Sequence, residues 1–316
     1  MSVPTNTVQA VGRVGVREDL SDKIAELFPD DTPFLNAIGT GVATATYTEW
    51  QTDSLVAANA NNAQVQGDDI AAESRPNTTR VGTYTQISTK TAQVSSTVEA
   101  VKKAGRKSEM AREIMKMGRE LRTDQELRST GNYASVAPTS SVAGKTAGAL
   151  AWLTSNVSRG SSGASGGYSA GIVAAATNGT QRAYAEALLK PVLQSIWANG
   201  GNAKMVITNG TQKQLAATFS GLAQQRRETG NKKAVIVAGA DMYVSDFGEV
   251  QFVPSRFCSA RDALIVDPDY WEYATLDPLG VEDLAKTGLS TKKLLKVEWA
   301  LKCLNQAASG VVADLT

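Results

Sequence analysis

The chain contains no histidine. That absence removes Ser-His-Asp and Cys-His nucleophilic arrangements, His-ligated zinc or iron, and the commonest general base near neutral pH. Lysine, aspartate, glutamate and two cysteines, Cys258 and Cys303, are what remains for chemistry. The cysteines match neither a Cys-x-x-Cys pair nor a zinc spacing, and they point to a reducing compartment rather than a disulfide scaffold. Cys303 falls on the apolar side of an alternating run, where a cysteine is usually a small buried hydrophobe. Cys258 lies in a turn region, and neither has a visible activating neighbour.

Three further strings could carry a site. Gly144-Lys145-Thr146 spells the end of a phosphate-binding loop, but Thr139 stands where the first glycine belongs and no clear strand precedes it. Gly163-Ala164-Ser165-Gly166-Gly167 spells a nucleophile elbow, which needs a strand, a sharp turn, a helix and a histidine base. Here it sits in a glycine-serine run, so the match is accidental. Asp267 and Asp269 offer two carboxylates to a cation, and two alone are weak evidence for one. No catalytic, cofactor-binding or metal-binding residue is therefore assigned. Arg226, Arg227, Lys232 and Lys233 make a basic loop, which reads first as a solvated loop and otherwise as a subunit contact or a contact with nucleic acid.

Composition narrows the class. Hydrophobic residues make up 42% of 316, enough for a real core, and 32 Lys+Arg against 31 Asp+Glu argue against a polycation that binds nucleic acid by net charge. The first residues lack a basic segment followed by an apolar run, so no signal peptide is expected. No apolar run is long enough for a membrane span.

The elements change character along the chain. Residues 1–40 read as an arm whose Leu20, Ile24, Leu27 and Phe28 form one helical stripe, ended by Pro29 and Pro33. Residues 41–97 read as two β-prone runs, Ala43–Gln51 and Arg80–Thr97, flanking a polar middle with almost no large apolar residue. That pattern predicts a protruding hairpin, and so long a polar loop implies a job such as covering a neighbouring subunit.

Residues 98–130 predict one continuous helix with Met110, Ile114, Met117 and Leu121 on its buried stripe, joined by Val101, Ala104, Ala111 and Met115. About thirty residues would span ~45 Å. Residues 131–180 are Gly/Ser/Ala-rich and predict a loop excursion with a short ordered piece near Leu150–Val157.

Residues 181–288 alternate. A helix over Gln181–Ala198 and a strand Met205–Thr208 come first, then a helix from Asn209-Gly210-Thr211 to about Arg226. Strands follow at Ala234–Ala238, Met242–Ser245, Glu249–Pro254 and Ala263–Asp267. Residues 289–316 end in a strand with Leu295, Val297, Trp299, Leu301 and Cys303 on one side and Lys296, Glu298, Ala300 and Lys302 on the other. Helices with mostly antiparallel strands predict an α+β fold.

That order of arm, hairpin, long helix, excursion and α+β body resembles the Hong Kong 97-like capsid fold. Specific strings strengthen the resemblance: Arg17-Glu18-Asp19-Leu20-Ser21-Asp22, Asp31-Thr32-Pro33-Phe34-Leu35, Glu49-Trp50-Gln51-Thr52-Asp53-Ser54-Leu55, Gly82-Thr83-Tyr84-Thr85-Gln86-Ile87 and Ala100–Glu109. They are similar to phage and prophage major capsid (major head) proteins of tailed bacteriophages, densely over 17–125 and more loosely over 181–316; residues 131–180 are not covered. The resemblance implies extended loop, spine helix, peripheral and axial domains (181–288 axial, 289–316 a strand returning to the peripheral domain). It implies an icosahedral shell of hexamers and pentamers of the chain around double-stranded DNA. Scaffolding, portal and decoration proteins are the implied partners, DNA contact is weak and non-specific, no membrane is involved, and assembly is in the host cytoplasm, ending in the virion. Some members of that fold weld subunits through a lysine in the extended loop; no lysine lies between Lys23 and Lys90 here, so such a weld is not expected. An encapsulin-like compartment shell, or a soluble α+β enzyme using Lys, Asp and Glu, would be the alternatives.

Overall fold

The computed structural model describes residues 31–69, 75–103, 105, 107–219, 242–286 and 288–316. The stripe expected over 17–28, the basic loop at 226–233 and the strand expected at 234–238 lie outside the described residues.

In chain order, α1 (Pro33–Ala37) leads to β1 (Gly39–Val42), β2 (Tyr47–Thr52), β3 (Thr79–Tyr84) and β4 (Gln86–Ser95). The run expected as a single strand over 80–97 is two strands with different partners. β3 pairs with β2 as a ribbon, whereas β4 joins the main sheet. Thr85 makes the break: its amide donates to the Thr46 carbonyl at 2.8 Å and its hydroxyl to Glu298 at 2.6 Å.

The single helix expected over 98–130 is two, α2 (Ser96–Ala100) and α3 (Glu109–Thr130). Each begins on a serine N-cap, Ser95 accepting from the Val98 amide at 3.3 Å and Ser108 from the Ala111 amide at 3.2 Å. Gly105 between them has φ +73°, which a continuous helix cannot contain. The 22 residues of α3 span about 33 Å rather than ~45 Å. Met110, Met117 and Leu121 are buried on its inner side, Ile114 is half-buried, and Met115 is 66% exposed, so it stands outside the stripe. Val101 and Ala111 are exposed as well. Ile114→Ala should accordingly cost about 1–2 kcal/mol in urea unfolding, below the ~2–5 of a fully buried site such as Leu121→Ala. Equal costs would mean the two positions are equally packed.

The excursion expected over 131–180 is largely built into the body. α4 (Ala149–Trp152) is buried along its whole length, and Ala147 and Leu153 beside it are 0% exposed. Alanine and glycine let it lie close against the end of α3: a Cβ on Gly148 would sit 2.1 Å from the Gly131 carbonyl oxygen. β5 (Val157–Ser158), β6 (Gly167–Ser169) and β7 (Ile172–Ala174) follow.

Then come α5 (Glu186–Ala198), β8 (Met205–Thr208), α6 (Gly210–Ala216), β9 (Met242–Ser245), β10 (Gly248–Pro254) and β11 (Ala263–Val266). Asn209 caps α6 by accepting from the Thr211 amide at 3.2 Å. β12 (Trp271–Asp283) has no counterpart in the periodicity, because Pro278 and two register shifts, at Thr275/Asp277 and Asp277/Gly280, break its alternation. β13 (Ser290–Cys303) carries the alternation expected of it, but the chain does not end there. β14 (Gly310–Val312) crosses to the other sheet, so only the first half of 289–316 returns to the sheet beside α3.

The strands form a four-stranded sheet β1-β12-β13-β4 and a six-stranded sheet β5-β14-β11-β8-β10-β9, besides the ribbons β2–β3 and β6–β7. Pairings are mostly antiparallel, with β1–β12, β8–β10 and β5–β14 parallel. One core lies between α3, α4 and the four-stranded sheet; the other lies under α5 and α6. The central strands of the larger sheet feed both. Leu264 and Val266 of β11 enter the first core, while Ala263 and Ile265 enter the second. All four are 0% exposed, which is why this strand reads as an unbroken apolar run.

Candidate functional site

None of the sequence strings assembles a reactive centre. Cys258 and Cys303 are both buried, and burial pushes each thiol well above its ordinary value, which leaves little thiolate. Gly144-Lys145-Thr146 closes a short antiparallel bridge: Val136 and Lys145 exchange backbone hydrogen bonds at 2.9 and 3.1 Å. Thr146 is inward, its hydroxyl accepting from the Leu301 amide at 2.9 Å and its carbonyl from the Arg128 guanidinium. Nothing there wraps a phosphate. Asp267 is buried, its carboxylate accepting from the Asn202 amide at 3.2 Å. Lys204 pairs with both Asp267, at 3.4 Å, and Asp269, so a lysine occupies the place a cation would take.

The glycine-serine run around Gly163 wraps Asp314 instead of presenting a nucleophile. One carboxylate oxygen accepts from the Gly160 amide at 3.0 Å; the other accepts from the Gly179 amide at 2.7 Å and from Arg261 at 3.0 Å. Burial alone would raise this carboxyl, but Arg261 and the two amides outweigh it and hold it below its ordinary value. No feature of the sequence announces that a residue so near the end of the chain locks residues 160–179.

Glu126 is equally hidden in the sequence, as one acid among many on α3. Fully buried, it accepts from the Phe34 and Leu35 amides at 2.9 Å each, while Arg122 donates to the Leu35 carbonyl at 3.0 Å. It fixes α1 onto α3.

The most prominent exposed feature among the described residues is an arm. The base of the β2–β3 ribbon is held hard against the body. Trp50 donates from its indole nitrogen to the Cys303 carbonyl at 3.0 Å and packs on Trp152 with ring centroids 5.5 Å apart, and Trp152 stacks on Tyr168 at 6.2 Å. The Tyr47 and Tyr168 hydroxyls are hydrogen-bonded at 3.1 Å. A cleft of about 420 Å³ lies beside this base, lined among others by Arg80, Trp152, Tyr168, Asn305 and Gln306. Beyond Thr52 the ribbon leaves the body, and every described residue from Asp53 to Asp69 is exposed. A root packed on the body with an uncovered tip is an exposed loop carried on a rigid scaffold. Among the described residues, no three Cys, Asp or Glu side chains gather as metal ligands, and no helix is long and apolar enough to cross a membrane.

The model of the SU10 major capsid protein family matches residues 3–316. A major capsid protein of Escherichia phage Phieco32 is 23% identical over 345 residues, covering 94% of both chains. Among solved structures, the capsid of a native GTA particle superposes with a TM-score of 0.62 at 14% identity, covering 97% of this chain and 98% of that one. The capsid of cyanophage P-SCSP1u superposes with 0.60 at 9% identity, covering 99% and 97%. The α+β architecture is thus the Hong Kong 97-like one of phage capsid proteins.

Proposed function

This chain belongs to the SU10 major capsid protein family and is a structural subunit of a phage head shell, and from that premise we propose that it tiles an icosahedral shell around packaged double-stranded DNA as hexamers and pentamers of itself. The observation that carries the reading is the family match along nearly the whole chain, joined to an arm whose root is locked and whose tip is bare. The match favours a phage head over an encapsulin-like compartment, and the family and its curated relative are named for a structural role. Subunits made in the host cytoplasm meet a scaffolding protein and a portal during assembly, and decoration proteins afterwards. Negative-stain microscopy of the chain expressed with its neighbouring reading frames should show closed isometric particles. A uniform dimer or tetramer under all conditions would overturn the reading.

Contact with the genome is weak. Strong attraction on the inner wall would trap DNA during filling and ejection, and a net charge of +1 supplies none overall. Filter binding should give low, sequence-independent affinity that fades steeply between roughly 50 and 200 mM salt, as counterion release requires. Tight, sequence-selective binding at physiological salt would replace the shell with a DNA-recognition role.

A further inference from the structure

Within the glycine-rich stretch, β6 and β7 make a small ribbon of their own. Ala170 and Gly171 join them with φ +48° and +88°, the pair of left-handed residues that a two-residue hairpin turn needs. The foot of this ribbon is fastened to the body from two directions. The Asn132 side chain exchanges hydrogen bonds with the Ala176 backbone at 2.7 and 2.8 Å, and Ser135 exchanges them with the Val173 backbone at 2.9 and 2.7 Å. Both tie β7 to the segment that follows α3. From the far end of the chain, Asp314 takes the Gly160 and Gly179 amides below the ribbon.

The head of the ribbon meets the arm. Tyr168 of β6 shares its hydrogen bond with Tyr47 of β2 and stacks on Trp152. A Cβ on Gly171 would lie 3.6 Å from the Tyr47 hydroxyl, so the turn is seated against the same residue. Beside this contact the two ribbons part. Thr52, Thr79 and Arg80 line the cleft of about 420 Å³ from the arm, and Gly166 and Gly167 line it from β6. A two-stranded ribbon such as β2–β3 is marginal on its own, and the cleft leaves it room to swing. The Trp50 bond to the Cys303 carbonyl pins the arm at one place, and Tyr168 supplies a second. One pin fixes a position; two fix a direction.

We propose that the β6–β7 ribbon is a brace that sets the direction of the β2–β3 arm in the free subunit, with Tyr168 as its positioning residue. An arm already held in direction has less freedom to lose when subunits associate, which lowers the concentration that assembly needs. This assembly role rests on the shell reading; the brace itself does not. It also gives residues 160–179 a task that their composition conceals.

The brace is tested on dilute, unassembled subunits carrying nitroxide labels at Asp53→Cys, just past β2, and Met115→Cys, on the exposed side of α3. Both native cysteines are buried and take no label. Pulsed electron paramagnetic resonance should give one narrow distance distribution. Tyr168→Ala, which loses both the hydroxyl bond and the stack, should make it roughly twice as broad, as a released two-stranded ribbon would be. Tyr168→Phe loses the hydroxyl bond alone and should broaden it less; it decides the matter if the alanine variant does not fold. Ile114→Ala loosens the same core from the α3 side and should leave the distribution narrow. Distributions that stay narrow in both Tyr168 variants, or broaden as much in Ile114→Ala, overturn the brace. The particle-forming threshold of Tyr168→Ala should rise roughly tenfold. An unchanged threshold with a broadened arm overturns the assembly role. Failure of the unsubstituted chain to form any particle overturns the shell reading and leaves the distances in the free subunit to judge the brace.

Discussion

Deleting residues 57–69 should leave a soluble, cooperatively folding subunit that no longer closes into shells. Every residue in that stretch is exposed, and among the described residues its side chains hydrogen-bond only to backbone within the stretch, as Asn59 does to the Asn61 amide and Asp68 to the Asp69 amide. Its removal therefore takes nothing from either core. The ribbon root stays, because Tyr47, Trp50, Trp152 and Tyr168 lie outside the deletion. Surface changes away from packed features usually shift stability by no more than ~0.5 kcal/mol, and the same is expected here by urea unfolding. Particle yield should fall to background by sedimentation and negative stain. Unfolding of the deleted subunit would mean that the tip belongs to the core; normal particles would mean that the arm is dispensable for assembly.

The contrast between root and tip marks how far the sequence can be read. The tip is legible because polarity alone says it cannot be core. The strand over 295–303 is legible for the opposite reason: one-sided burial writes itself as strict alternation, and Leu295, Val297, Trp299, Leu301 and Cys303 are all buried. β12, its direct partner, is not, since Pro278 and the bulges around Asp277 destroy the period that would announce it. The helix α3 shows in its apolar stripe, yet its start is obscured because the run of charges continues across Gly105 and Ser108. Residues 131–180 are the plainest failure. Glycine and alanine read as a loop, but here they permit α4 to pack closely on α3, and the restraint on the rest is supplied by Asp314 from the far end of the chain. The bare loop is legible in its composition; Glu126 and Asp314 depend on partners 53 to 154 residues away, which no local pattern encodes.

Glu126→Ala should be the most damaging single substitution in this region. α1 has no cap of its own: Thr32 makes no capping bond, and its hydroxyl donates to Asn36 at 3.3 Å instead. The carboxylate of Glu126 fills that role from a distance, taking the first two amides of the helix with one oxygen each. A negative group is also favoured at that end of the helix dipole. Alanine leaves two buried donors without an acceptor, at about 1–3 kcal/mol each, so roughly 4 kcal/mol should be lost in urea unfolding of the unassembled subunit. Glu126→Gln keeps one acceptor and should lose about half as much. The two side chains also differ in how they respond to pH. Burial raises the Glu126 carboxyl above its ordinary value, an effect that the Leu35 and Phe34 amides and the Arg122 charge only partly offset. A raised folded value means the folded state holds the proton more readily than the unfolded chain. The protonated carboxyl's contribution is therefore fully present below about 4.5 and declines as pH rises through the raised value. A glutamine in its place has no proton to lose. The stability advantage of the natural residue over glutamine should consequently be larger at pH 4 than at pH 7, with other titrating groups such as Asp314 cancelling in the difference. An advantage that grows toward pH 7 would show that the amides and Arg122, and not burial, set the charge state of this anchor.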